Sequence, residues 1–275
     1  MNSSRPDTMR QRIGVWFGQG VGAFLILIVC LFLSLPLIAL LLRVTPELLA
    51  THIPNETVQK ALWLSITTAI ISMAIVILIG TPTAYFHSRS CYPGKSFVDT
   101  LIDLPLVLPP AVAGLALLLL FGRTGLLGKY LNVIGIDIAF TTVAVILAQI
   151  FVASPFYIRQ AKALFEQLDP AYEETAKTLG SSSLRTFLFI ILPLCATGLT
   201  SGAIMTFARA LGEFGATIMF AGNLPGITQT MPLAIYAAMQ GDFDVAITIS
   251  VLLVAISLAI MLTVKLLSEK WRYNV

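Results

Sequence analysis

Two opposite charges inside an apolar stretch are the residues of this sequence best placed to do chemistry. Arg209 and Glu213 lie four residues apart, about one helical turn, in a stretch from 186 to 213 that holds no other charged residue. The simplest interpretation is a structural ion pair, although cation-first order is the less favourable one on an isolated helix. The functional alternative is that Arg209 attracts an anion while Glu213 keeps it from binding too tightly.

Residues for metal binding or covalent catalysis do not occur in a usable pattern. The cysteines and histidines lie apart, without the spacing of a zinc site or a disulfide framework; they are Cys30, Cys91, Cys195, His52 and His87. No nucleophile and base can be assembled from a known motif. The sequence therefore predicts no metal site, no catalytic residue and no enzymatic activity in this chain.

Two short fragments imitate part of a phosphate-binding loop. In both, an arginine stands where the loop needs its first glycine: Arg89 before Gly94-Lys95-Ser96, and Arg123 before Gly128-Lys129-Tyr130. The chain is therefore not expected to hydrolyse ATP by this route, and any ATP and magnesium are expected in a partner subunit.

The composition indicates that the solvent of most of the surface is a lipid bilayer. Of the 275 residues, 57% are hydrophobic and 11% are charged, whereas about a quarter of the residues of a soluble domain are charged. Intrinsic disorder and a disulfide-rich secreted module are excluded by the high hydrophobicity and the few cysteines. A net charge of +3 gives no basic face for nucleic acid.

Seven windows without acidic or basic residues are long enough to cross roughly 30 Å of hydrocarbon as helices. They are 13–42, 61–88, 104–122, 138–158, 186–208, 214–241 and 245–264. The positive-inside rule favours six spans, because a seventh at 214–241 would spread Lys and Arg almost evenly over the two sides. Six spans place the cations of both termini on one side, which predicts cytoplasmic N- and C-termini.

Glycine and proline shape two of these windows. They interrupt 214–241, so we expect 216–240 to be an external or re-entrant loop that packs into the bundle, with a short helix near Met231 to Met239. In the third window, Pro105, Pro109 and Pro110 predict a fixed bend. In the fifth, the spacing of Gly198 and Gly202 permits close helix packing, within the chain or, less simply, between two copies.

The polar stretch between the fourth and fifth windows contains the signals of a short helix over 169–180. Asp169 suits the N-cap, Pro170 the first helical position, and Gly180 the end of the helix. Physics alone predicts a capped surface helix without a partner.

The spacing inside that helix resembles a known signature. Glu174, Thr175, Ala176 and Gly180, followed by Ile190, Leu192 and Pro193, are similar to the E-A-A, G and I-x-L-P signature of ABC importer permeases, with Thr175 in place of one alanine. The resemblance implies that 169–180 is the coupling helix, which docks in a groove of a cytoplasmic ATPase subunit. In that interpretation Gly180 makes the turn and the small Ala176 allows close approach.

Two longer blocks, 93–128 and 207–236, resemble the molybdate permease subunits of the sulfate, molybdate and tungstate group. The resemblance implies an all-α polytopic protein of about six transmembrane helices with the type I ABC importer permease fold. It also implies one permease domain over 1–275, which consists of a variable N-terminal part, 1–57, and a core, 58–265. The implied location is the cytoplasmic (inner) membrane. The implied partners are a second copy, two ATPase subunits and an external oxyanion-binding protein.

Two alternatives to molybdate import stay open. Tungstate or sulfate fits the same group, and an ion-coupled secondary transporter is a different class, which would need carboxylates in several spans. Import of a dianion against a negative interior costs about 4 to 5 kcal/mol at 100 mV, which favours an ATP-driven pump. Polar side chains that could line the path, besides the pair Arg209 and Glu213, are Ser201, Thr206, Asn223 and Gln229, and each could equally bridge neighbouring helices.

Overall fold

The computed structural model describes residues 7–272, with side chains described from 21 to 263 and at Leu266. Within this part of the chain the regular secondary structure is helical. Terminal cations on which the predicted orientation partly rests lie outside the description, wholly or in their side chains: Arg5, Arg10, Arg12, Lys265, Lys270 and Arg272.

The chain divides into two compact units, 1–49 and 50–275. The first unit holds helix α1, Asp7–Leu42, which contains the whole first apolar window, and the start of α2, Pro46–His52. The second unit holds the rest of the helices. They begin with α3, Glu56–Arg89, whose first turn is capped by Asn55 through its Oδ1, 2.9 Å from the Thr57 backbone nitrogen.

The third window contains a sharp bend, as its prolines predict. The structure has α4, Lys95–Val107, and α5, Pro110–Phe121, with an angle of 114° between them. Pro105 lies inside α4, whereas Pro110 begins α5 because a first helical position needs no N–H donor. The expected bend is present, and it is large enough to make two helices.

The helix that contains most of the fourth window, 138–158, extends beyond the end of that window. Past the short helix α6, Gly128–Val133, helix α7 runs over Thr142–Gln167 and so includes Arg159 and Lys162, which the sequence places in a loop. Arg and Lys are favourable residues in a helix, so the helix continues beyond the apolar window. Both cations contact α4: Arg159 Nε lies 3.4 Å from Asp103 Oδ1, and the Lys162 ammonium pairs with Asp99.

The next apolar span is composite. It consists of α9, Ser183–Thr186, a π-helical turn over Phe187–Ile191, and α10, Leu192–Leu211; before it comes the short α8, Ala171–Thr178. A π-helical turn of this kind is rare and is frequently found at functional sites.

The window 214–241 is not a span, as predicted. It forms two short helices, α11, Gly215–Phe220, and α12, Met231–Ala238, and the second coincides with the predicted short helix. The segment packs into the bundle: Ala216, Phe220 and Met231 are fully buried. The last helix is α13, Phe243–Arg272.

Five described helical segments are long and apolar enough to cross a membrane, and the bent pair α4 and α5 would make a sixth. The bundle of the second unit is built mainly on α3, α7 and α10, which pack against one another. A Cβ on Gly198 would lie 2.5 Å from Leu164 Cδ1, and one on Gly202 would lie 3.4 Å from Tyr157 Cδ2. These two glycines therefore serve packing within the chain.

Candidate functional site

Helix α8 is the first part of the candidate site. It spans Ala171–Thr178, one residue later than predicted at its start, and the Asp169 carboxylate accepts the Ala171 N–H at 2.9 Å. Glu173 and Glu174 lie in its first turn, where a negative charge is stabilised by the helix dipole. The motif residues therefore lie on a short capped helix, as their spacing predicts.

Gly180 ends α8 with two hydrogen bonds that define a Schellman motif. The Ser181 N–H bonds to the Ala176 carbonyl at 2.9 Å, and the Gly180 N–H bonds to the Lys177 carbonyl at 3.0 Å. Gly180 has a φ of +80°, a left-handed conformation that residues with a side chain rarely adopt. The turn therefore depends on glycine for its backbone.

Gly180→Ala is expected to loosen this turn without disturbing the bundle. A Cβ on Gly180 has no neighbour within 4 Å, so the strain is confined to the backbone and costs about 1 to 2 kcal/mol. We expect the Ser181 amide to exchange its hydrogen roughly 5 to 30 times faster, the factor that corresponds to this loss. Hydrogen exchange in detergent measures it.

Gly241→Ala is the matched control, because its Cβ also has no neighbour within 4 Å but its φ is outside the left-handed region. Unchanged exchange at Ser181 in Gly180→Ala would contradict the argument.

The structure corrects the expectation for one motif residue. Ala176 is 4% exposed, so its methyl group packs inside the chain, where α8 contacts α9, and cannot be the surface that a partner approaches. Glu174 and Thr175 are exposed, and so are the apolar side chains of Tyr172, Leu179 and Leu184 around them. The exposed surface available for contact is therefore formed by residues of α8, of the turn after it and of α9.

A contact that the sequence analysis missed attaches α8 to the end of α3. Arg89 Nε donates to Glu173 Oε1 at 2.7 Å, and Arg89 Nη2 donates to the Leu168 carbonyl at 3.1 Å. The two side chains are 84 residues apart in sequence, so no local pattern could pair them. Arg89 was noticed only as an interruption of a phosphate-binding loop.

Arg209 and Glu213 form the second part of the candidate site, at the end of α10. Arg209 Nη1 lies 2.6 Å from Glu213 Oε2, and the side chains are 28% and 1% exposed. Glu213 has a further partner, because its Oε1 accepts the Ala216 N–H at 2.8 Å. Both carboxylate oxygens are thus engaged, one by the cation and one by the first turn of α11.

Helix α11 is pressed against α5 at two glycines. A Cβ on Gly114 of α5 would lie 2.5 Å from the Ala216 carbonyl oxygen and 2.8 Å from Ala216 Cα. A Cβ on Gly215 would lie 2.7 Å from Pro110 Cβ. The absence of side chains therefore sets how close α11 comes to α5, and with it the position of Glu213.

The other four candidate path residues are not equivalent to one another. Ser201 is exposed on α10, whereas Thr206 is buried and donates to the Gly202 carbonyl at 2.9 Å. Asn223 Nδ2 donates to the Leu233 carbonyl at 3.4 Å, and Gln229 is buried at 5% exposure. Thr206 and Asn223 thus donate hydrogen bonds to carbonyl groups of the protein itself. Ser201 is the exposed residue among the four.

A buried polar network joins α3 to α7 and has no counterpart in the sequence analysis. Ser72 Oγ donates to Gln149 Oε1 at 2.9 Å, and Gln149 Nε2 donates to Thr68 Oγ1 at 3.2 Å. Such hydrogen bonds satisfy polar groups that a bilayer could not. The signal in the sequence is Gln149 inside an apolar window, but its partners are far away along the chain.

His87 also proves to be structural. Its Nε2 lies 2.8 Å from Asp99 Oδ1, and its Nδ1 lies 2.5 Å from the Tyr92 hydroxyl. Both ring nitrogens are therefore used in hydrogen bonds.

Known proteins are similar to this chain over most of its length. The family model described as a binding-protein-dependent transport system inner membrane component matches residues 77–273. The molybdenum transport system permease protein ModB of Mycobacterium tuberculosis is 42% identical over 233 residues, 85% of this chain and 88% of the relative. The sulfate transport system permease protein CysT of Escherichia coli is 34% identical over 250 residues, 90% of each chain.

Solved structures agree on the fold. A bacterial ABC transporter that imports alginate has a TM-score of 0.74 at 16% identity, covering 96% of this chain and 99% of that one. The inward-facing MetNI methionine transporter has a TM-score of 0.59 at 17% identity, covering 78% and 95%. The expected all-α polytopic fold of type I ABC importer permeases is thereby confirmed. With the family match over 77–273, the chain belongs to the binding-protein-dependent transport system inner membrane components, the permease subunits of ABC transporters.

Proposed function

We propose that this chain is the membrane-spanning permease subunit of an ATP-driven molybdate importer. The observation that carries the proposal is α8: a capped helix with the motif residues Glu174 and Thr175 exposed, in a chain 42% identical to a molybdenum permease over 85% of its length. The chain itself supplies the path, and ATP with magnesium binds to the partner. Tungstate and sulfate are the alternative cargoes, and sulfate has its own support in the 34% identical sulfate permease.

The proposed complex contains two copies of this chain, two cytoplasmic ATPase subunits and an external oxyanion-binding protein. Exposed residues of α8 and of the segment that follows it support the ATPase contact, since Tyr172 of α8, Leu179 after its end and Leu184 of α9 are 48%, 83% and 67% exposed. Large exposed apolar side chains on a polar connection between spans are typical of an interaction surface. We propose that the oxyanion-binding protein docks at the end of the bundle opposite to α8.

An ion-coupled transporter is disfavoured by the state of Glu213. A coupling carboxylate must be free to bind and release an ion, but Glu213 is held by Arg209 and by the Ala216 N–H. Arg209 in turn is the cation through which a dianion would be attracted along the path. Its side chain is 28% exposed, so it is partly accessible even while paired.

Leu179→Arg is expected to detach the ATPase subunit. Leu179 is 83% exposed, and replacing an apolar contact by a charge at the centre of an interface costs about 2 kcal/mol or more, which corresponds to a roughly thirtyfold or greater loss of affinity. The measurement is the ATPase subunit recovered with this chain after mild detergent extraction. Leu126→Arg is the matched control: Leu126 is 71% exposed on the loop after α5. Equal recovery with both variants would contradict the docking surface.

The orientation with both termini and α8 in the cytoplasm can be tested at a native residue. Cys91 is exposed and follows Arg89, which contacts α8. Lys129 is exposed on α6, between α5 and the start of α7. An impermeant maleimide added to intact cells should miss Cys91 and label Lys129→Cys in a Cys91→Ser background. The reverse pattern would mean that the orientation is inverted.

The cargo and class are tested together by purification. After mild detergent extraction an ATPase subunit should accompany this chain, which an ion-coupled transporter would not require. Calorimetry of the binding protein that partners it, with molybdate, tungstate and sulfate, then identifies the anion. If the binding protein binds only sulfate tightly, the cargo is sulfate and not molybdate.

A further inference from the structure

The way α8 is held to the rest of the bundle has a consequence for transport. Along the chain, α8 leads through α9 and the π-helical turn into α10, and α8 packs against α9. Arg89 adds a second connection, from α8 to the end of α3. A displacement of α8 can therefore reach the bundle by two routes, one through the backbone and one through side chains.

The side-chain route is short and well defined. Arg89 bonds to Glu173 at 2.7 Å and to the Leu168 carbonyl at 3.1 Å, so one guanidinium grips the first turn of α8 and the end of α7 together. The side chains of Arg89 and Glu173 are 21% and 14% exposed. A planar guanidinium with its donors in a rigid fork holds two acceptors in fixed directions, which an ammonium cannot do.

The base of this connection is an aromatic cluster. Tyr85 precedes Arg89 by one helical turn, and its ring centroid lies 5.4 Å from that of Phe165 in α7. It also lies 4.6 Å from that of Phe187, the first residue of the π-helical turn. Helix α3, helix α7 and the π-helical turn therefore meet one helical turn from Arg89. A movement of Glu173 that displaces Arg89 would thus act on a packed part of the core.

We propose that Arg89 and Glu173 are positioning residues that transmit the movement of α8 to α3 during transport. The proposal rests on the proposed function, because it needs an ATPase that moves α8. The two neighbouring glutamates then have separate tasks: Glu174 is exposed for the partner, whereas Glu173 is turned inward to Arg89. Coupling between distant sites requires an element that both sites bias, and α8 tied to α3 is such an element.

The test compares ATP hydrolysis with uptake in the same complex. This chain, its ATPase subunits and its binding protein are reconstituted in liposomes, and ATP consumed and molybdate taken up are measured. We expect Arg89→Ala to hydrolyse ATP at close to the normal rate while uptake per ATP falls about fivefold or more, the lower end of the range for coupling free energies. Glu173→Gln keeps the shape of the side chain and an acceptor for Arg89, so its uptake per ATP should fall less than that of Arg89→Ala.

Two further variants separate transmission from simple structural support. Arg159→Ala removes another ion pair, 3.4 Å from Asp103, that does not involve α8, and it should keep the normal uptake per ATP. Arg89→Glu combined with Glu173→Arg restores an ion pair between the same positions and should recover part of the uptake lost in Arg89→Ala.

The outcomes are distinct from a failure of the proposed function. Unchanged uptake per ATP in Arg89→Ala, or an equal fall of hydrolysis and uptake, would overturn the transmission role. Loss of assembly in both Arg89→Ala and Glu173→Gln would also overturn it, since the pair would then be structural. A wild-type complex that shows no ATP-dependent uptake of any of the three oxyanions would instead refute the proposed function, and the transmission role with it.

Discussion

Gly114→Ala is expected to destabilise the bundle strongly, although the change adds a single methyl group. The new Cβ would lie 2.5 Å from the Ala216 carbonyl oxygen, 2.8 Å from Ala216 Cα and 2.8 Å from Met219 Cβ. Two of these obstacles are backbone atoms, which cannot turn aside, so α11 must move away from α5. We expect a loss of about 3 kcal/mol or more, the upper part of the range for overpacked sites. Thermal unfolding in detergent measures it.

Gly202→Ala is the matched control for this prediction. Gly202 is also buried inside a helix, but its Cβ would meet its nearest neighbours at 3.4 and 3.5 Å, which is ordinary contact. Alanine favours a helix over glycine by about 1 kcal/mol, so this variant should be as stable as the wild type or more stable. Equal stability of Gly114→Ala and Gly202→Ala would contradict the close packing of α11 on α5.

Glu213→Ala is expected to destabilise the bundle at least as much as Gly114→Ala does. It leaves Arg209 without its ion pair and the Ala216 N–H without its acceptor, in a place where Glu213 is 1% exposed. Removing one partner of a fully buried ion pair costs roughly 3 to 5 kcal/mol, and because Arg209 is 28% exposed we expect a loss near the lower end of this range. The yield of folded protein after extraction and its thermal unfolding should both fall. Glu213→Gln keeps an acceptor and should be milder.

Double substitutions separate pairing from anion guidance. Arg209→Leu with Glu213→Leu should cost less than the sum of the single changes, because no buried charge is left alone. The charge swap Arg209→Glu with Glu213→Arg restores the pair but not the acceptor for Ala216, so only part of the stability should return. A stable Glu213→Ala protein would contradict the structural role. A swapped protein that assembles and hydrolyses ATP without transport would favour anion guidance by Arg209.

Hydropathy and turn residues predicted a large part of this fold. The first, second, fifth and seventh windows lie in long helical segments, and 214–241 was excluded as a span by its glycines, prolines and central polar residues. The differences lie at helix ends and at the bend. An apolar window ends at the first charge, but Arg159 and Lys162 are helical because Arg and Lys are favourable helix residues. The prolines predict a bend between α4 and α5, but its size of 114° could not be derived from the sequence.

The candidate site was predictable where its residues are local in sequence. The Asp169 bond to the Ala171 N–H, the turn at Gly180 and the pair of Arg209 and Glu213 all act within a few residues, and the structure contains each contact. The N-cap itself is Pro170, one residue after the predicted Asp169. Burial was not predictable in the same way: Ala176 looked like a contact for a partner and is inside the chain. The bond from Arg89 to Glu173 spans 84 residues, and only the folded bundle brings its ends together.

We propose that ATP hydrolysis by a partner subunit drives an oxyanion through this chain. The most direct test is uptake of radioactive molybdate by liposomes that contain this chain and its ATPase, with the binding protein on the outside and ATP enclosed. We expect uptake that requires both ATP and the binding protein and that persists when ionophores abolish proton and sodium gradients. Uptake that continues without ATP and stops with the ionophores would show that ion gradients drive transport instead.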